Sequence, residues 1–186
     1  MKLIPHGFDR DDFEKSTLHH KTEGKIRILY GGTLYENIHQ QLEFVLKLAQ
    51  NYPDEISIDF YTENNQYEKL FREYALTNVG LHKQVNSKEF FELIGKYNYY
   101  LSITNERIKD NISTKYYEII ANRIPILYFG PKGYISDLIL SEQVGWVIEN
   151  GKKTEELYDD LKNNLHREWE FDRVKLDDYD FECLSK

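Results

Sequence analysis

The sequence predicts an α/β fold, a doubly wound, Rossmann-like parallel sheet of about six strands with helices on both faces. Three observations predict it. From Lys25 onward, short β-branched or aromatic runs alternate with longer segments of helical period. The runs are expected to lie in a sheet covered on both faces, Ile124–Phe129 being the most continuously apolar of them. Turn-forming Gly, Pro and Asn residues fall between the two kinds of segment.

The expected strands are Ile26–Tyr30, Ile56–Tyr61, Val79–Val85, Tyr99–Ile103, Ile124–Phe129 and Trp146–Ile148. Between the first two, Leu42, Val45, Leu46 and Ala49 recur at helical spacing, and Pro53 stops the helix. Gln66–Tyr74 reads as a second helix. Asn86-Ser-Lys-Glu89 reads as a capping box that opens a third, carrying Phe90, Phe91, Leu93 and Ile94. Ser113 or Thr114 caps a fourth. The turn Gly130-Pro131-Lys132-Gly133 precedes a short helix at Ile135–Leu140. Gly151 closes the last strand, and Leu157, Leu161 and Leu165 mark a final amphipathic helix with Glu155 and Glu156 in its first turn.

The length of 186 residues suits a single domain. A chain of this size buries roughly 70% of its unfolded surface, so its core needs no metal or disulfide staple. Hydrophobic residues at 40% and aromatics at 15% exclude general disorder. The formal charge of −8 disfavours nucleic acid as a partner. A lone Cys183 forms no internal disulfide, and no Cys/His spacing supplies a zinc site. The longest apolar run, Ile124–Gly130, is far short of the ~20 residues that span a bilayer, and no signal-peptide core opens the chain. A cytoplasmic protein without a transmembrane segment is expected.

In a doubly wound sheet, ligands lie beyond the carboxyl ends of the strands, where loops enter helix N-termini. Gly31, Gly32 and Thr33 follow the first strand; they suit close approach to a ligand and a tight turn equally. The glycine spacing fits neither a dinucleotide fingerprint nor a P-loop. Asp110-Asn-Ile-Ser-Thr-Lys115 opens the fourth helix, where free N–H groups, the Ser113 and Thr114 hydroxyls and Lys115 suit a diphosphate. Ordinary capping accounts for the hydroxyls as well. Glu118, one turn deeper, is placed to accept hydrogen bonds from a vicinal diol such as a ribose.

Three stretches carry a resemblance: Ile4-Pro-His-Gly-Phe-Asp9, Tyr30-Gly-Gly-Thr-Leu-Tyr35, and Ser113-Thr-Lys-Tyr-Tyr-Glu118 followed by Ala121 and Pro125-Ile-Leu127. Together they resemble the C-terminal, donor-binding domain of bacterial GT-B fold glycosyltransferases of the group 1, capsular-polysaccharide type, over nearly the whole chain. The resemblance implies one half of a GT-B fold, with residues 1–24 as the interdomain crossover and 25–166 as the nucleotide-sugar-binding domain. Residues 167–186 would return to an N-terminal acceptor domain absent from this chain. It further implies that Glu118 binds ribose, that Asp110 touches the sugar, and that backbone around Val85 to Ser87 reads the base. The complete enzyme would be a retaining hexosyltransferase acting on a saccharide or lipid-linked acceptor at the inner face of the membrane. It would use no cofactor or metal, and this chain alone would be inactive, with the catalytic residues in the other domain.

Where relatives carry an arginine and a lysine after the first loop, this sequence has Glu36, Asn37, Ile38 and His39. The diphosphate cation is therefore Lys115 first, Lys132 second and Arg107 third. Arg123 stands where relatives have glycine, which leaves Asn122 to adopt the left-handed helix cap. The apolar residues near the end, Trp169, Phe171, Val174, Leu176, Tyr179, Phe181 and Leu184, either pack back onto the domain or meet a missing neighbour. Two other readings share the donor site: half of a nucleotide-sugar epimerase, and a non-catalytic nucleotide-binding or regulatory module.

Overall fold

The computed structural model describes residues 24–63, 66–167, 169 and 171. Six strands form one parallel sheet: β1 (Ile26–Gly31), β2 (Ile56–Tyr61), β3 (Val79–His82), β4 (Tyr99–Ile103), β5 (Ile126–Phe129) and β6 (Gly145–Val147), in the order β3-β2-β1-β4-β5-β6. The helices are α1 (His39–Asn51), α2 (Glu68–Tyr74), α3 (Ser87–Ile94), α4 (Thr114–Ala121), α5 (Tyr134–Glu142) and α6 (Thr154–Asn163). Strand and helix alternate throughout, as the hydrophobic periodicity predicts.

The pleat sorts the core into two layers. Ile26, Ile28 and Tyr30 of β1, with Tyr99, Leu101 and Ile103 of β4, face α1, α2 and α6. Leu29 and Tyr100, one residue out of phase, face α3, α4 and α5. α1 buries Leu42, Val45, Leu46, Leu48 and Ala49 on one stripe. Asn86 caps α3 by accepting from the Glu89 N–H at 3.0 Å. Buried polar groups tie the layers together. The Tyr99 hydroxyl donates to the Leu161 carbonyl of α6 at 2.8 Å, and Tyr52 stacks on Tyr158 at 3.8 Å.

Three expectations need correction. β3 ends at His82 rather than Val85 and is an edge strand, with Leu81 40% exposed. β5 starts at Ile126 rather than Ile124, because Ile124 closes α4 by donating its N–H to the Ile119 carbonyl at 3.2 Å. That closure, with the Arg123 N–H donating to the Ile120 carbonyl, requires the left-handed residue one place later than expected. Arg123 takes it at φ 55°, whereas Asn122 has φ −81°. At the far end, Trp169 packs edge-on against Trp146 at 4.4 Å, and Phe171 is buried with the α4 layer. Residues 1–23 and 172–186, including Ile4–Asp9, Val174, Leu176, Tyr179, Phe181, Cys183 and Leu184, lie outside the described residues.

Asn78 ties the start of β2 to the end of α1, its buried amide donating to the carbonyls of Ala49 and Ile56, both at 2.9 Å. Asn78→Ala strands two buried carbonyls and is expected to lower stability by about 2 kcal/mol. Urea unfolding checks this as an earlier midpoint at unchanged slope.

Candidate functional site

The order of the sheet fixes where a site forms. β1 and β4 are neighbours, yet α1 follows β1 onto one face and α4 belongs to the other. Their loops diverge and leave a crevice at the carboxyl edge. A cavity of about 390 Å³ occupies it, lined by Gly31, Gly32 and Thr33 after β1, by Ser102 and Thr104 at the end of β4, and by Ser113 and Lys115 at the start of α4. Its inner wall is apolar, made by Ile103, Ile112, Ile126, Ile135 and Ile139.

Tyrosine hydroxyls hold the β1 loop. Tyr30 donates to the Thr33 carbonyl at 2.6 Å, and Tyr100 donates to the Gly31 carbonyl at 2.9 Å. Burial pushes both phenols well above the ordinary tyrosine range; Glu118 near Tyr100 and Tyr100 near Tyr30 add to the shift. Both stay protonated donors at neutral pH. Gly32 adopts φ +136°, a conformation that favours glycine. Across the mouth, the Asn105 amide donates to the Glu36 carbonyl at 2.8 Å and links the β4 loop to the β1 loop.

α4 begins with Ser113 in extended conformation at its N-cap, and the Ser113 side chain makes no capping hydrogen bond. In the first turn the Tyr116 N–H donates to the Ser113 carbonyl at 3.0 Å, the N–H groups of Thr114 and Lys115 precede any intrahelical acceptor, and the helix dipole is positive at this end. Among the described residues, Lys115 is the only charged residue lining the cavity. Its ammonium lies 4.1 Å over the Phe90 ring. Burial lowers its pKa from the ordinary lysine value, against an opposing pull from Glu118. The same lining holds no carboxylate and no histidine. The surface is built to bind an anion and to supply hydrogen bonds.

Of the residues singled out in the sequence, the cavity gathers Gly31, Gly32, Thr33, Ser113 and Lys115. Thr114 opens α4. Glu118 is buried at 9% exposure and lies behind the lining, within electrostatic reach of Tyr100 and Lys115. Asp110 accepts a hydrogen bond from the Tyr134 N–H at 2.8 Å and so caps α5. Val85 packs into the α4-side core, and its neighbour Gln84 lines the cavity. Lys132 and Arg107 are exposed and stand outside the lining. Sequence reasoning missed Tyr35, Ser102, Thr104, Asn111 and Tyr116. Ser102 and Thr104 were findable, since they end the strand that meets β1 at the switch point.

No protein-family model matches the sequence, and no curated protein does. The fold has close counterparts among solved structures. WaaG, a glycosyltransferase involved in lipopolysaccharide biosynthesis, superposes with a TM-score of 0.65 at 16% identity, covering 89% of this chain and 47% of WaaG. The C-terminal domain of the group 1 glycosyltransferase LpcC from Francisella tularensis gives 0.56 at 14% identity, covering 98% of this chain and 93% of that domain. UDP-GlcNAc 2-epimerase from Neisseria meningitidis, bound to UDP-GlcNAc, gives 0.56 at 17% identity, covering 78% of this chain and 37% of that one. This chain therefore has the fold of one half of a GT-B protein and spans under half the length of WaaG. No helix among the described residues is long and apolar enough to cross a membrane, and no group of three His, Cys, Asp or Glu among them is placed to hold a metal.

Two substitutions probe the site's construction. A Cβ at Gly31 would collide with the Phe90 ring, so Gly31→Ala is expected to lose about 1–3 kcal/mol by overpacking. Chemical denaturation measures this. Lys115 carries the opposite sign. Its proton is bound more tightly in the unfolded chain, so the group subtracts from stability at neutral pH. That deficit is relieved as pH rises from the folded-state pKa towards the ordinary lysine value. Lys115→Met is expected to raise the thermal midpoint at pH 7, with the gain shrinking at alkaline pH.

Proposed function

We propose that this chain is the donor-binding domain of a nucleotide-sugar-dependent glycosyltransferase, of the retaining, hexose-transferring kind that builds surface polysaccharide. One observation carries the reading: a cavity at the switch point whose single charge, Lys115, stands at the start of α4 beside an uncapped Ser113. A diphosphate there meets N–H groups, dipole, hydroxyl and ammonium together. Asn, Gln and Tyr side chains around it suit the hydroxyls of a sugar or ribose. Glu118 supports the ribose reading only if the nucleotide reaches past Lys115 to the carboxylate behind it.

Among the described residues the lining has no carboxylate and no histidine, and its one ionisable amine, Lys115, is committed to the diphosphate; transfer therefore calls on an acceptor domain across the cleft, supplied by an N-terminal part of the enzyme. The acceptor is a saccharide or a lipid-linked saccharide, met at the cytoplasmic face of the membrane. On its own the chain binds the donor without transferring the sugar. No cofactor or metal is called for, because dipole and ammonium stabilise the leaving diphosphate.

An epimerase half is the second reading, favoured by the likeness to the Neisseria meningitidis enzyme. Coverage of this chain does not separate the two, at 89% for WaaG and 89% for the Listeria monocytogenes epimerase; the transferase reading is supported by the higher TM-score, 0.65 against 0.52. Calorimetric titration with UDP, GDP, ADP and dTDP tests the shared donor site. One nucleotide is expected to bind, and Lys115→Met to weaken it about tenfold or more. Absence of binding by all four, or indifference to the substitution, would sink the reading.

A further inference from the structure

Phe90 is 1% exposed on α3 and touches both walls of the cavity. One ring edge fills the space beside Gly31 so closely that no side chain fits there. One ring face lies under the Lys115 ammonium at 4.1 Å. Tyr100, which holds the Gly31 carbonyl, meets the same ring edge-on at 6.4 Å between centroids and 87° between planes. Lys115 makes no ion pair with any of the described residues, unlike Lys47, Lys69, Lys109 and Lys152, each of which pairs with a carboxylate.

A lysine serving an incoming anion needs a partner that fixes its position without cancelling its charge. A carboxylate fixes and neutralises; an aromatic face attracts the ammonium through its quadrupole and leaves the net charge intact. We propose that Phe90 is the positioning residue for Lys115, holding the ammonium at the cavity wall in the empty protein while its ring edge sets the distance to the β1 loop. The inference rests on the anion-site reading above and adds a residue to it. Phe90 does not touch the ligand; it acts through Lys115.

The test has two readouts. Reductive dimethylation with isotope-labelled formaldehyde keeps the lysine charge, and the Lys115 signal is the one missing from Lys115→Arg. In the wild-type chain, that signal is expected upfield of the other lysines through the Phe90 ring current. Inorganic pyrophosphate is then titrated calorimetrically into wild type, Phe90→Leu, Lys115→Met and the double variant. Phe90→Leu is expected to weaken binding about three- to tenfold. In the Lys115→Met background it should add no further loss, which a merely structural role would not produce. If Phe90→Leu does not fold, Phe90→Met preserves the volume and replaces it in the cycle. An unshifted Lys115 signal, additive losses, or wild-type affinity in Phe90→Leu would each overturn the inference alone. A ring-shifted Lys115 in a protein that binds no pyrophosphate would overturn the anion-site reading and this inference with it.

Discussion

The constraint on which the molecule turns is the adjacency of β1 and β4. Two parallel strands side by side, followed by helices on opposite faces, cannot have their loops closed over each other. The gap between them is a product of connectivity and would exist with other side chains. What these residues contribute is its chemistry. The apolar inner wall comes mostly from the α4 and α5 layer, with Ile103 from the other, and the polar rim from the two diverging loops. The single charge sits where a helix dipole already favours an anion.

Tyrosine is the structural idiom of this chain. Its 15 tyrosines outnumber every other aromatic, and several act as struts that pack a ring in the core and spend the hydroxyl on a backbone carbonyl. Tyr99 reaches α6, Tyr100 and Tyr30 reach the β1 loop, and Tyr128 donates to Pro131 in the turn before α5. Tyr67 serves α2 in the same way: it donates to the Tyr35 carbonyl at 2.9 Å and accepts from the Ile38 N–H at 3.2 Å. The β1 loop, which also buries Leu34 and Ile38, is thereby fixed to the sheet and to α2. Because each strut ends on backbone, the identity of the loop side chains is free to serve the cavity.

Local signals made much of the fold legible. The stripe Leu42, Val45, Leu46 and Ala49 has one reading, and Asn86 followed by Glu89 marks a helix start without tertiary help. Edges were less legible. Val79 to Val85 has the residues of a longer strand, but a strand extends only as far as its partner, and β2 offers pairing to His82 and no further. Arg123 shows the same limit: composition favours Asn for a left-handed cap, and the closing hydrogen bonds of α4 decide otherwise. In the site, Gly31, Gly32, Thr33, Ser113 and Lys115 were visible because loop position alone picks them out. Tyr35 and Tyr116 stand beside those residues in the same loop and helix, whereas Gln84 reaches the cavity from the segment after β3, which no pattern local to the β1 and β4 loops encodes. Asp110, read in the sequence as a contact to the sugar, accepts a hydrogen bond from the Tyr134 N–H at the start of α5.

The pairing of Trp146 with Trp169 has an optical consequence. These are the chain's two tryptophans, set at 80° to one another, with Tyr99 beside the first and the Arg167 guanidinium over the second. Neither indole lines the cavity. The indole emission of the whole protein therefore originates at one spot beside β6. The cavity is surrounded by phenols instead. Tryptophan emission thus reports on the β6 edge of the sheet rather than on the crevice.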